Sequence, residues 1–206
     1  MPSVELQFDL HHIKEIITSR KLKILFSACL VGYQTGWDGQ AYPVDLIQKI
    51  YHNTHVEAIT YCPENFSFGT PREFCSIHGG DGFDVLDGKA KVLTVTGVDW
   101  TLGAIKAGQQ AVHIAQQHQI DFAIMLDISP SCGSHFIVKG PPEDQAYLAA
   151  AGVTVAAMTR AGIAVYSSRQ YQYLGDLLSV LDPDFVTQAP LINLTDSQWY
   201  KEYFNT

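Results

Sequence analysis

Short apolar runs alternate along the chain with longer segments whose apolar positions recur every three or four residues, the two periods of buried strands and amphipathic helices. His11 to Arg20 is polar and amphipathic and reads as a first helix. Lys23-Ile24-Leu25-Phe26-Ser27-Ala28 is apolar, brief and followed by glycine, so it reads as a buried strand. Pro43 suits the first turn of a helix that carries Val44, Leu46, Ile47 and Ile50 on one stripe. Val56 to Tyr61 is a second strand, and residues 63–82, rich in Gly and Pro, read as loop. Phe83 to Val95 reads as a β-hairpin insertion around Asp87-Gly88, a favourable two-residue turn pair.

The second half continues the alternation. Asp99 or Thr101 would cap a long helix running to about His118, with Ala104, Gly108, Ala111, Val112 and Ala115 on its apolar stripe. Asp121 to Leu126 is uninterrupted and apolar, as a central parallel strand should be. Ile137-Val138 extends a short strand before the Gly140-Pro141-Pro142 turn, and Tyr147 to Arg160 reads as helix around Gly152. Ile163 to Tyr166 is a last strand, and Leu174, Leu177, Leu178 and Leu181 mark a last helix. The tail carries Phe185, Trp199, Tyr200, Tyr203 and Phe204, which should pack on the body or on a partner. Alternating strands and helices predict an α/β fold: one domain over residues 1–206, with a mostly parallel open sheet flanked by helices.

Composition narrows the function. The chain is 206 residues long, 47% hydrophobic and 17% charged, which argues for a packed core rather than disorder. A formal net charge of -8 disfavours generic binding of phosphate backbones, transfer RNA included, although local basic patches are not excluded. The stretch Met1 to Leu6, with Glu5 and Asp9 as early acids, lacks the basic segment and apolar run of a signal peptide. No apolar run approaches the ~18 residues of a membrane span. Four cysteines are too few for a disulfide scaffold, so a cytoplasmic protein with reduced thiols is the expectation.

Those thiols carry the chemistry. Cys29 directly follows the first strand, Cys62 directly follows the second, and Cys132 lies just beyond the strand ending near Leu126. The carboxyl ends of parallel strands share one edge, where ligands bind at the switch point of strand order. The three thiols should therefore converge in one crevice. Three readings remain open on position alone: an open metal or iron–sulfur site, one nucleophilic cysteine with a base, or three small buried hydrophobes.

Five motifs in register resemble the thiouracil desulfurase (desulfidase) family. They are Ser27-Ala28-Cys29-Leu30-Val31-Gly32, Trp37-Asp38-Gly39, Cys62-Pro63-Glu64, Pro71-Arg72 and Ser129-Pro130-Ser131-Cys132-Gly133-Ser134. The resemblance covers roughly residues 22–168 and leaves out the N-terminal helix and the C-terminal tail. It implies a 4Fe-4S cluster held by Cys29, Cys62 and Cys132, with one iron open to the sulfur of a thiolated pyrimidine. It also implies Glu64 as catalytic carboxylate and Ser129 as catalytic serine. Trp37, Asp38, Phe66, Arg72 and Ser131 become candidate substrate contacts, with Trp37, Phe66 and Phe68 able to stack on a flat heterocycle or to anchor loops. Where the family usually has paired glycines after Cys-Pro-Glu, Asn65-Phe66-Ser67-Phe68 makes a bulkier loop here. Cys75 is a spare thiol, read as incidental or as a ligand to the open iron. His78 and His135 are surface or hydrogen-bonded histidines, or further ligands. The expected reaction replaces C=S by C=O and releases sulfide. The alternatives are a non-catalytic iron–sulfur or sulfur-carrier protein and a zinc hydrolase. A homodimer is left open.

Overall fold

The computed structural model describes residues 9–187 and 189–205, so the stretch Met1 to Leu6 read for a leader lies outside the described residues. In chain order the elements begin with α1 (Leu10–Ser19), β1 (Leu22–Ser27), a 3-10 turn (Ala28–Val31), α2 (Asp45–Tyr51) and β2 (Val56–Tyr61). Next come α3 (Pro63–Phe68), β3 (Cys75–His78), α4 (Gly82–Leu86), β4 (Lys91–Thr94) and α5 (Thr101–His118). The remainder is β5 (Phe122–Met125), β6 (Ile137–Lys139), β7 (Ala146–Leu148), α6 (Val153–Arg160), β8 (Val165–Ser167), α7 (Tyr171–Leu181) and α8 (Gln198–Phe204).

Four strands form one parallel sheet in the order β2-β1-β5-β8. Leu22, Ile24, Leu25 and Phe26 of β1 are all fully buried, as a strand covered on both faces requires. On one face Ile24 and Phe26 pack with Ile13, Ile47, Leu174 and Leu178, which come from α1, α2 and α7. On the other, Leu25 and Met125 pack with Ala111, Ala115, Val155 and Met158 of α5 and α6. The chain builds outward from β1 to β2, then returns to build β5 and β8 on the other side. Strand order therefore reverses between β1 and β5, and a crevice opens at the carboxyl ends there.

Four local expectations are corrected. The segment 63–82 is not continuous loop: it contains α3 and β3. The hairpin partners are β3 and β4, antiparallel from Cys75↔Thr94 to His78↔Lys91, with α4 between them. Asp81 accepts from the N–H groups of Phe83 and Asp84 while Asp84 accepts from Asp81 N–H, a capping box that starts a helix. Asp87-Gly88 then ends that helix, with Gly88 at φ +73°, instead of turning a hairpin. Tyr147 belongs to β7, paired with β6, and Gly152 is the N-cap of α6 rather than a helix interior residue. Pro43 precedes the N-cap Val44 of α2 instead of sitting in its first turn.

Candidate active site

Each cysteine of the trio is positioned by a strand end. β1 runs straight into the 3-10 turn that holds Cys29. β2 ends at Tyr61, and Cys62 is the N-cap of α3, its sulfur accepting from Asn65 N–H at 3.4 Å. β5 leads into the loop 127–135, which carries Ser129 and Cys132. Cys29, Cys62 and Cys132 all line one cavity of about 390 Å³, together with Glu64, Ser129 and Arg72. None of the four cysteines is in a disulfide.

The polar groups of this cavity form one connected network. Ser129 Oγ donates to Glu64 Oε1 at 2.9 Å. The same oxygen accepts from the backbone N–H groups of Ser131 (3.1 Å) and Cys132 (3.2 Å), so the hydroxyl has its proton and both lone pairs engaged. Glu64 Oε2 accepts from Arg72 Nε at 3.0 Å and Nη2 at 2.8 Å. The remaining guanidinium donors reach Thr35 O, Gly69 O and Thr70 Oγ1. The pair is shielded, with side chains 4% (Arg72) and 12% (Glu64) exposed.

Burial raises all three thiols. Burial, then Cys62 and Glu64, push Cys29 up to about 12. Burial raises Cys132 well above the ordinary thiol range, with Cys62, Glu64 and Cys29 adding to it. Cys62 is raised by burial against the opposing pull of Asn65 N–H. As thiolates Cys29 and Cys62 would each raise Cys132, and a cationic group bound among the three would favour the charged form and release protons. Among the described residues no three His, Cys, Asp or Glu side chains close on one ion-sized point. The trio borders a cavity instead, and a polynuclear iron–sulfur group spreads its anchoring thiolates wider than a single ion does. Three soft thiols from three separate loops are a donor set that fits such a group.

A sequence model of the 2-thiouracil desulfurase family matches residues 24–170. The chain belongs to this family. It is therefore a sulfur-removing enzyme. It is 35% identical over 156 residues to the uncharacterized protein YbbK of Bacillus subtilis (strain 168), covering 75% of this chain and 99% of that protein. A solved structure described as the 4Fe-4S-dependent thiouracil desulfidase TudS superposes with a TM-score of 0.61 at 31% identity, covering 78% of this chain and 99% of that one. The α1 helix and the segment from Tyr171 onward lie outside the family model.

Within this desulfurase framework the other candidate residues separate into two groups. Trp37, Asp38 and Arg72 line the cavity; Phe66 and Ser131 do not. Trp37 stands edge-on to Phe74 with ring centroids 5.4 Å apart. Asp38 accepts from Tyr42 Oη at 2.6 Å and from Gln40 N–H at 3.0 Å. Burial works against the Asp38 charge, but these hydrogen bonds outweigh it and hold the carboxyl below its usual range. Phe66 is 45% exposed and leans toward Tyr61 and Lys106 on the outer side of α3. The backbone of Ser131 is used instead, its carbonyl accepting from Thr154 N–H at 2.9 Å at the start of α6. Arg72, read as a substrate contact, has its donors committed to Glu64 and to loop carbonyls, so it positions the carboxylate. Cys75 lines the same cavity, but its charged surroundings are Glu64 and Arg72 rather than the other thiols. His78 bonds Ser76 and His135 pairs with Asp127; neither lines the cavity.

Several positions carry no local sequence signal. Thr35, Tyr42, Gln145 and Arg169 also line the cavity. Asp127 is fully buried and accepts from Ser134 N–H, His135 N–H and the Ser167 hydroxyl. Burial opposes its charge, yet His135 and these bonds hold it below the usual carboxylate range, pinning both ends of the Cys132 loop. Ile128, a β-branched residue, sits at φ +81° in that loop, a strained conformation held by bonds to Phe136 O and from Val138 N–H. Gly152 lets α6 approach from the other side. A Cβ there would stand 2.5 Å from the carbonyl carbon of Ser131 and 2.7 Å from Pro130 O, backbone that cannot swing away. Gly152→Ala should cost about 2 kcal/mol of stability by overpacking. A urea midpoint within error of the wild type would refute the tight approach.

Proposed function

We propose that this desulfurase acts on a thiolated pyrimidine base, nucleoside or nucleotide. It would exchange C=S for C=O and use a 4Fe-4S cluster held by Cys29, Cys62 and Cys132, with one iron left without a protein ligand. What supports this most is one arrangement: three thiols from three strand ends and the Ser129–Glu64 pair line the same cavity. A small heterocycle suits that cavity better than a nucleic acid does, given a net charge of -8.

When bound, the cluster supplies a soft Lewis acid for the thiocarbonyl sulfur. The protein's part is positioning and proton transfer. Arg72 occupies Glu64 Oε2, so Oε1 is the oxygen turned to the reaction. Glu64 takes a proton from the water that adds to the thiocarbonyl carbon and returns one to the departing sulfur. Ser129, fixed by two backbone N–H groups, holds Oε1 in line beside the Cys132 loop. The water oxygen becomes the carbonyl oxygen, its two protons leave with the sulfur as hydrogen sulfide, and no electrons are exchanged with the substrate. Trp37 offers an aromatic face or edge to the ring, and Asp38 an acceptor for a ring N–H.

Anaerobic turnover of 2-thiouracil or 4-thiouridine, followed by sulfide release, tests this. Glu64→Gln should lower kcat by roughly 10²–10⁴, the usual worth of a general acid–base, with the cluster absorbance retained. Unchanged turnover in that variant would remove Glu64 from the mechanism.

A further inference from the structure

The family model stops at residue 170, yet the chain continues and packs back on segments that border the cavity. After α7, the buried Asn193 accepts through Oδ1 from the N–H groups of Gln172 (3.0 Å) and Tyr173 (3.3 Å). Leu194 N–H donates to Arg169 O at 3.0 Å, tying the segment to a cavity-lining residue. α8 then lays its aromatic side chains on the β6–β7 hairpin. Trp199 stands 5.7 Å, between ring centroids, from both Phe136 and Tyr147. Tyr203 is 5.6 Å from Tyr147, and its hydroxyl accepts from Tyr147 N–H at 2.9 Å. Phe136, almost fully buried, also carries the Arg169 guanidinium 5.9 Å above its ring centroid.

The hairpin so held contributes Val138 and Gln145 to the cavity wall. Gln145 Oε1 accepts from Tyr147 Oη at 3.4 Å, so the residue that the tail grips also holds this side chain. A primary amide offers one acceptor and paired donors, the complement of the amide edge of a pyrimidine.

We propose that residues 193–204 are a clamp that fixes the β6–β7 hairpin as a wall of the substrate cavity, with Trp199 and Tyr203 as positioning residues for Gln145 and Arg169. The substrate half of this inference rests on the thiolated-pyrimidine reading; the clamp itself does not. The test combines hydrogen–deuterium exchange over residues 136–148 with steady-state kinetics on 2-thiouracil, in the full-length cluster-loaded protein. Trp199→Ala should speed exchange of the hairpin about tenfold, because it loosens one local unit rather than the fold. It should raise KM about tenfold while kcat stays within about twofold, the mark of lost substrate positioning. The cluster absorbance should not change. Tyr203→Phe should release the Tyr147 amide in the same direction, and Trp199→Phe should restore both readouts. Unchanged exchange in Trp199→Ala overturns the clamp. Faster exchange with unchanged KM overturns its link to the cavity, as does a fall in kcat that follows loss of the cluster. A wild type that leaves 2-thiouracil intact defeats the substrate reading, while a hairpin that still loosens in Trp199→Ala upholds the clamp.

Discussion

Cys62→Ser should abolish iron binding and sulfur removal together while leaving the fold intact. Cys62 does two jobs: its thiol borders the cavity, and its sulfur caps α3 by accepting from Asn65 N–H. Serine is among the best N-cap residues, so the capping role survives the exchange. A hydroxyl is a hard, weakly acidic donor and replaces a thiolate poorly at iron. Iron and sulfide quantified after anaerobic purification should fall more than about tenfold, since ligand affinity and activity depend together on the donor set. Far-ultraviolet circular dichroism should match the wild type. Cys75→Ser is the control, because Cys75 lies on β3 of the antiparallel pair, packed with Ile77, Val92 and Ile137, and not at a strand end of the parallel sheet. It should keep its iron. Retained iron in the first variant, or lost iron in the second, would defeat the assignment of the three thiols.

Arg72→Leu carries the second large effect, on stability. The guanidinium joins Glu64 to the carbonyls of Thr35 and Gly69 and to the Thr70 hydroxyl, and Arg72 N–H bonds Trp37 O at 2.9 Å. Leucine keeps the backbone bond and removes the rest. A shielded carboxylate then loses its counter-charge, a change that costs about 3–5 kcal/mol when one partner of a buried pair is deleted. The double variant Glu64→Leu/Arg72→Leu should be less destabilised than the sum of the two single changes, because neither charge is stranded. Denaturant midpoints for the four proteins measure this coupling. A loss below about 1 kcal/mol for Arg72→Leu would place the pair among solvent-screened bridges.

Much of the scaffold was legible in the apolar pattern. β2 runs from Val56 to Tyr61 as its composition suggests, and β1, α5 and α7 lie within a few residues of their periodic signals. The expected hairpin at Asp87-Gly88 gives way to the end of α4 because an Asp-Gly pair serves a tight turn and a helix C-terminus equally well. The capping box of Asp81 and Asp84 decides between them, and that spacing stands in the sequence. The helical expectation across Tyr147 fails because β7 is only three residues long, too short for a strand period to show, and its pairing with β6 takes Tyr147 out of α6.

The site divides in the same way. Sequence by itself determined that Cys29, Cys62 and Cys132 follow apolar strands, and parallel strands present their carboxyl ends on one edge whatever the length of chain between them. It also put Glu64 beside Cys62 and Ser129 beside Cys132. Only the tertiary structure decided that Arg72 turns to Glu64, that Phe66 faces outward, and that Thr35, Tyr42, Gln145 and Arg169 reach the cavity. A loop side chain takes its direction from partners distant in sequence, such as Asp127 gathering Ser134, His135 and Ser167, and no local period encodes those partners.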